Sequence, residues 1–142
     1  SLEYASVVWD PYTKKDSVLL EKVNRKAVRF IFGKYRREDS PTQLMNLHNI
    51  HTLETRRKIA RLTFLFNSLT GKNKLKLPEC LKRPLVRRTR GVNEHSLTPI
   101  FAKTNSFKFS FFPRTVEDWN SLPASVLSSH NFSDALQRLY TC

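Results

Sequence analysis

Carboxylates are scarce in this chain: 12 Asp and Glu stand against 25 Lys and Arg, a formal net charge of +13 over 142 residues. Glycine occurs only at Gly33, Gly71 and Gly91, too sparse for a loop that cradles phosphates. Cysteine occurs twice, as Cys80 and Cys142, without a CxxC pair. A reducing, intracellular compartment fits that better than a disulfide framework. No window approaches the roughly 18 consecutive apolar residues of a membrane span, and the start lacks the charged-then-apolar order of a secretory signal. No Ser, His and Asp fall at a recognisable hydrolase spacing. His48 and His51, three apart, would suit a metal on a helix, but without Cys or carboxylate neighbours they read as polar loop residues. The apolar share of 39% supports one domain with two sub-clusters. Because it opens on Ser1 rather than Met, the chain reads as a piece of something longer.

The surplus of positive charge is concentrated. Residues 14–37 carry nine basic and two acidic side chains, and residues 70–91 carry eight basic and one acidic, a net of +7 in each. Charge at that density repels itself unless a polyanion neutralises it, so an RNA or DNA backbone is the expected partner. Thr13 with Asp16 predicts a capped helix running to about Phe32, with Gly33 as its stop. Its apolar residues Leu19, Leu20, Val23, Ala27, Phe30 and Ile31 line one stripe, expected to dock. Lys22, Arg25, Lys26 and Arg29 gather in an arc of about 100°, centred more than a third of a turn away. These four are the first candidates for phosphate contact.

Ser40-Pro41-Thr42-Gln43 predicts the start of a short second helix ending near Leu47. A third is expected over Leu53–Leu69, apolar around most of its circumference and so buried between neighbours. Arg56, Arg57, Lys58 and Arg61 cluster in its first half, where it is expected to emerge and meet phosphate. Basic residues there oppose the helix dipole, so an anion or carboxylate partner is required. Residues 70–95 read as a basic loop or linker, with Arg87 and Arg88 as a supplementary grip. Residues 97–103 and 105–112 are expected to pair as a short β-hairpin, since Phe107, Phe109 and Phe111 alternate with Lys108 and Ser110 and Pro113 would end the strand. Thr115 and Asp118 have capping-box spacing for a short helix ended by Pro123, with Val116 and Trp119 on one face. Asn131 caps a last helix whose inner side carries Phe132, Leu136, Leu139 and Tyr140. The fold class is therefore mostly α, with a small β-hairpin in the C-terminal half. Its segments are a helical one over 1–69, a basic loop over 70–95, and a hairpin with two short helices over 96–142.

Phe107, Phe109, Phe111, Trp119 and Leu122 are expected in the core, since aromatics this dense usually bury area, and the order of the pieces from Ser110 to Pro123 carries more than that. Ser110-Phe111-Phe112-Pro113-Arg114 followed by Trp119-Asn120-Ser121-Leu122-Pro123 resembles the C-terminal region of reverse transcriptases from non-LTR retrotransposons, LINE-type and Jockey-like, including the arthropod tick transposons. Leu2 to Pro11 looks like the segment that follows the polymerase core in that family. The match continues through Leu20 to Phe30, where Asn24 stands for the more frequent Gln. A third similar stretch is Leu53-Glu54-Thr55-Arg56-Arg57 with Arg61-Leu62. The matches are collinear and leave only about 70–95 poorly anchored. The resemblance implies a helical thumb and following region of an RNA-directed DNA polymerase, working in the cytoplasm and nucleus, with the polymerase core of the same parent chain as a partner.

Polymerase chemistry needs paired carboxylates that hold two metal ions against the incoming phosphates. This chain has no Asp-Asp, and its adjacent acids are Glu38-Asp39 and Glu117-Asp118, the latter expected in a solvated helical turn. It has no catalytic residues, metal ligands or cofactor of its own to offer; magnesium is expected for the parent polymerase. The expectation is a non-catalytic fragment that grips template or primer. The rival is a structural or protein-interaction module, docked on the polymerase core or left as an inert transposon relic.

Overall fold

A computed structural model describes residues 3–74 and 94–141, with Leu77, Glu79 and Leu81 between them. Among these residues there are eight helices and no β-strand. They are α1 (Ser6–Trp9), α2 (Lys14–Phe32), α3 (Pro41–Leu47), α4 (Leu53–Leu69), α5 (Asn105–Lys108), α6 (Phe111–Asn120), α7 (Ala124–Leu127) and α8 (Phe132–Tyr140).

The long helices start and stop where local chemistry dictates. The Thr13 hydroxyl accepts the Asp16 N–H at 3.2 Å and opens α2. Gly33 closes it in the left-handed conformation (φ 61), its N–H reaching back to the carbonyls of Arg29 and Phe30. Ser40 precedes Pro41 at the first position of α3, where the missing N–H is no loss. Thr52 caps α4 by accepting the Thr55 N–H at 3.3 Å. A second, non-local cap comes from α2: Glu21 accepts the Leu53 N–H at 3.0 Å, placing a carboxylate at the positive end of the α4 dipole.

Helix α4 is the axis of the molecule and packs against α1, α2, α6 and α8. Its Leu62 and Leu65 join Leu97, Val116, Trp119, Leu122, Val126, Leu127, Phe132 and Leu136 in the main core. Trp119 lies tilted against Phe132 with ring centroids 5.5 Å apart, and Phe66 stacks on Phe132 at 4.4 Å. Val28, Met45 and Leu53 are buried where α2, α3 and α4 come together. Both predicted helical ends of the chain thus share α4 as their common support.

The expected β-hairpin is absent. Of the phenylalanines of its second strand, Phe107 lies in α5, Phe109 at its C-cap and Phe111 in α6, because the chemistry of the helix starts outweighs the two-residue alternation. The Thr104 hydroxyl accepts the Phe107 N–H and starts α5, and Ser110 sits at the N-cap of α6. Pro113 falls in the first turn of α6, where N–H groups have no intrahelical acceptor; it starts a helix rather than ending a strand. Thr115 is consequently internal to α6 and fully buried, its hydroxyl donating to the Phe111 carbonyl instead of capping.

The would-be first strand, residues 97–103, is neither helix nor strand, and it is held by side chains of α6. Asn120 accepts the Leu97 N–H and donates to the Leu97 carbonyl, both at 2.8 Å, and the Trp119 indole donates to the His95 carbonyl at 2.8 Å. One asparagine thereby satisfies both backbone groups that a neighbouring strand would have paired. Of the residues expected in an aromatic core here, Trp119 and Leu122 are buried, whereas Phe107 and Phe109 are exposed and Phe111 is half-buried.

Candidate nucleic-acid interface

The basic residues of α4 do not face outward as expected. Leu53, Arg57, Arg61 and Leu65 recur every fourth residue, so the two arginines continue the buried stripe of the helix. Arg57 and Arg61 are 1% and 3% exposed. The carboxylate that meets them comes from the segment after α1: Asp10 pairs with Arg57 at 3.5 Å, with Arg61, and with Arg114 of α6 at 3.0 Å. Asp118 supplies the second acid, 3.0 Å from both Arg61 and Lys58. The Arg57 guanidinium also lies over the Trp9 ring, 5.3 Å from its centroid. Arg56, on the outer side of the helix, pairs with Glu3.

Burial lowers the pKa of Arg57 and Arg61, and for Arg61 the charge of Arg114 adds to that. Both guanidinium groups stay charged, since arginine is not deprotonated in proteins. Burial also works against the charged form of Lys58, but the hydrogen bond and charge of Asp118, with Tyr140, raise its pKa overall. Arg57 Nε and Nη2 and Arg61 Nε meet no protein acceptor, so the cluster depends on the charge of Asp10 and Asp118 rather than on complete hydrogen bonding. The anion demanded at this end of α4 is thus provided from within the chain. Arg56, Arg57 and Arg61 belong to the scaffold.

The α2 residues behave differently. Lys22, Arg25 and Lys26 are exposed, and none takes part in an ion pair among the described residues. Arg29 is half-buried and donates to the Asp39 carbonyl at 3.1 Å, tying down the turn that follows α2. Lys14, Lys15, Lys34, Arg36 and Arg37 extend the exposed cationic surface at both ends of the helix. Arg87 and Arg88 lie outside the described residues.

Several functional placements were hidden from sequence reasoning. Asp10 and Arg114 were not expected in any site, although the fourfold recurrence of Leu53, Arg57, Arg61 and Leu65 could have pointed to buried guanidinium groups needing distant acids. Glu117 is exposed, and Asp118 is committed to Lys58 and Arg61. His48 stacks on Phe32 with ring centroids 4.1 Å apart. Among the described residues no group of three or more His, Cys, Asp or Glu side chains could hold a metal ion, and no helix is long and apolar enough to cross a membrane. No known protein family, curated protein or solved structure matches this chain.

Proposed function

We propose that this chain is a non-catalytic, nucleic-acid-binding segment from the C-terminal region of a retrotransposon reverse transcriptase, and that α2 is the part that meets the phosphate backbone. The observation that carries the binding reading is the division of the cations. Those of α4 and α6 are neutralised by Asp10, Asp118 and Glu3, while Lys22, Arg25 and Lys26 of α2 are left exposed with no carboxylate partner among the described residues. A face of unpaired cations on one rigid helix suits a polyanion, because phosphates then replace condensed counterions without breaking any contact within the protein. The parentage rests on the sequence resemblance. Within the fold, Trp9-Asp10, Arg57 with Arg61, and Arg114 come from three separate stretches and form one ionic cluster.

Binding to an oligonucleotide duplex should weaken steeply with salt. Each neutralised phosphate releases about 0.9 counterion on duplex and about 0.7 on single strands. Replacing Lys22, Arg25 and Lys26 by Ala should therefore reduce the slope of log K against log salt by about 2 to 3 on duplex. Arg56→Ala should leave the slope as it was. A slope near zero for the unmodified chain removes the nucleic-acid reading, and an unchanged slope in the triple variant removes α2 from it.

A further inference from the structure

Helix α2 docks through the wrong face for its sequence pattern. Asn24 and Val28 are its buried residues, and Glu21 reaches across to cap α4 while accepting from the Asn24 side chain at 3.1 Å. The apolar row expected to dock is turned outward instead, apart from Leu20, which is half-buried. Leu19 and Val23 are 50% and 49% exposed, Phe30 is 76% and Ile31 is 70%, and Ala27 between them is exposed too. At about 100° and 1.5 Å per residue these side chains fall within an arc of about 120° and run for about 18 Å along the helix. Single exposed apolar residues are ordinary; a continuous row rimmed by charge marks a surface that another molecule covers.

The charges beside the row say which kind of molecule. Lys15, Lys22 and Lys26 border it on one side, within a segment of net charge +7. A second copy of this chain would bring the same lysines against them. Six of its acids are engaged, Asp10 and Asp118 in the cluster, Glu3 with Arg56, Glu21 at the start of α4, Asp16 with Thr13 and Asp39 with the Arg36 N–H, and the exposed Glu38, Glu54 and Glu117 lie outside α2, away from the row that a matching α2 would present. A lipid surface suits a row with cations on both flanks, whereas here the other flank is the face packed on the protein. An extended, narrow apolar row with cations on one edge fits an amphipathic helix whose anchors recur at three- and four-residue spacing and whose matching edge is acidic.

We propose that the outer row of α2 seats an amphipathic helix of a partner protein, its apolar anchors on Leu19, Val23, Phe30 and Ile31 and its Asp and Glu residues on Lys15, Lys22 and Lys26. This stands on the exposed row and is independent of the nucleic-acid reading. Where both hold, the partner helix and phosphate compete for Lys22 and Lys26.

The test uses the 142-residue chain and a synthetic helical peptide with leucines at i, i+3, i+4 and i+7 and glutamates along one edge. A scrambled peptide of identical composition serves as control. The patterned peptide should bind at least about tenfold more tightly than the scrambled one. Val23→Ser with Phe30→Ser should weaken that binding by about tenfold or more, and Ile31→Gln should weaken it in the same direction. Oligonucleotide affinity and the circular dichroism of these variants should be unchanged. Lys22→Ala with Lys26→Ala should weaken the peptide as well. Equal binding of patterned and scrambled peptides overturns the proposal, since only charge would then be recognised. Three other results overturn it by assigning the row elsewhere when the serine variant abolishes them: concentration-dependent dimerisation assigns it to a second copy, retention on phosphatidylserine vesicles to lipid, and oligonucleotide affinity to base stacking.

Discussion

Asp10→Ala should destabilise this protein by about 3 to 5 kcal/mol, the usual consequence of removing one member of a buried ion pair. Asp10 is the shared acid of Arg57, Arg61 and Arg114. Its removal leaves Arg57 and Arg61 almost sealed from solvent; Asp118 still pairs with Arg61, while Arg57 keeps no ion pair among the described residues and feels Glu3, Glu21 and Glu54 only at longer range. A domain is held together by roughly 5 to 15 kcal/mol, so the loss is a large share of the whole. In a thermal melt it should appear as a fall of about 10 to 20 °C in Tm, or as failure to fold cooperatively. Arg56→Ala is the comparison, because its pairing with Glu3 is partly exposed to solvent and such pairs contribute about 0 to 1 kcal/mol. If Asp10→Ala instead melts like the unmodified chain and binds oligonucleotide more tightly, the arginines are reaching solvent phosphate and their scaffold role is wrong.

Trp119→Ala should be comparably severe. Truncating a buried aromatic costs roughly 3 to 5 kcal/mol through lost transfer energy and the cavity left behind. Trp119 is 4% exposed, rests on Phe132, and ties the unstructured-looking segment before α5 to the core through its bond to the His95 carbonyl. The variant should melt early or aggregate. Phe107→Ala, at an exposed site of the same phenylalanine-rich stretch, should change stability by no more than about 0.5 kcal/mol. The competing idea is that these aromatics stack on unpaired bases, each worth about 1 to 3 kcal/mol of binding. A Trp119→Ala protein with unchanged Tm and weakened single-strand binding would establish that idea and overturn the core assignment.

Both variants probe places where local and distant chemistry diverge. The ends of α2, α3 and α4 and the start of α8 were legible from the chain alone because the signals that set them are short-range. Thr13 finds the N–H of Asp16, Thr52 that of Thr55, and Gly33 supplies the left-handed turn, each within a few residues. The same short-range rules misled in the phenylalanine-rich stretch, where a period-two pattern competed with the Thr104 hydroxyl cap and with Pro113 in the first turn of α6. A strand there also needed a partner strand. Asn120, through two hydrogen bonds to Leu97, took that partner's place.

The allocation of charge lay beyond any local rule. Arg61 and Asp118 are 57 residues apart, and nothing in the neighbourhood of either announces the other. Lys22 and Arg57 look alike in a list of basic residues, yet one stands in solvent on α2 and the other is enclosed between Trp9 and Asp10. The chain's excess of cations, its helical character and the positions of its long helices follow from residue types and spacings. Which cations remain free, and which face of α2 is left bare, follow from long-range packing. Desolvating a guanidinium is tolerable only beside a carboxylate, and Asp10 and Asp118 are brought to α4 only when the helices assemble. For α2, the bonds that Glu21 makes to the start of α4 and to Asn24 hold a polar face inward, leaving Leu19, Val23, Phe30 and Ile31 outside.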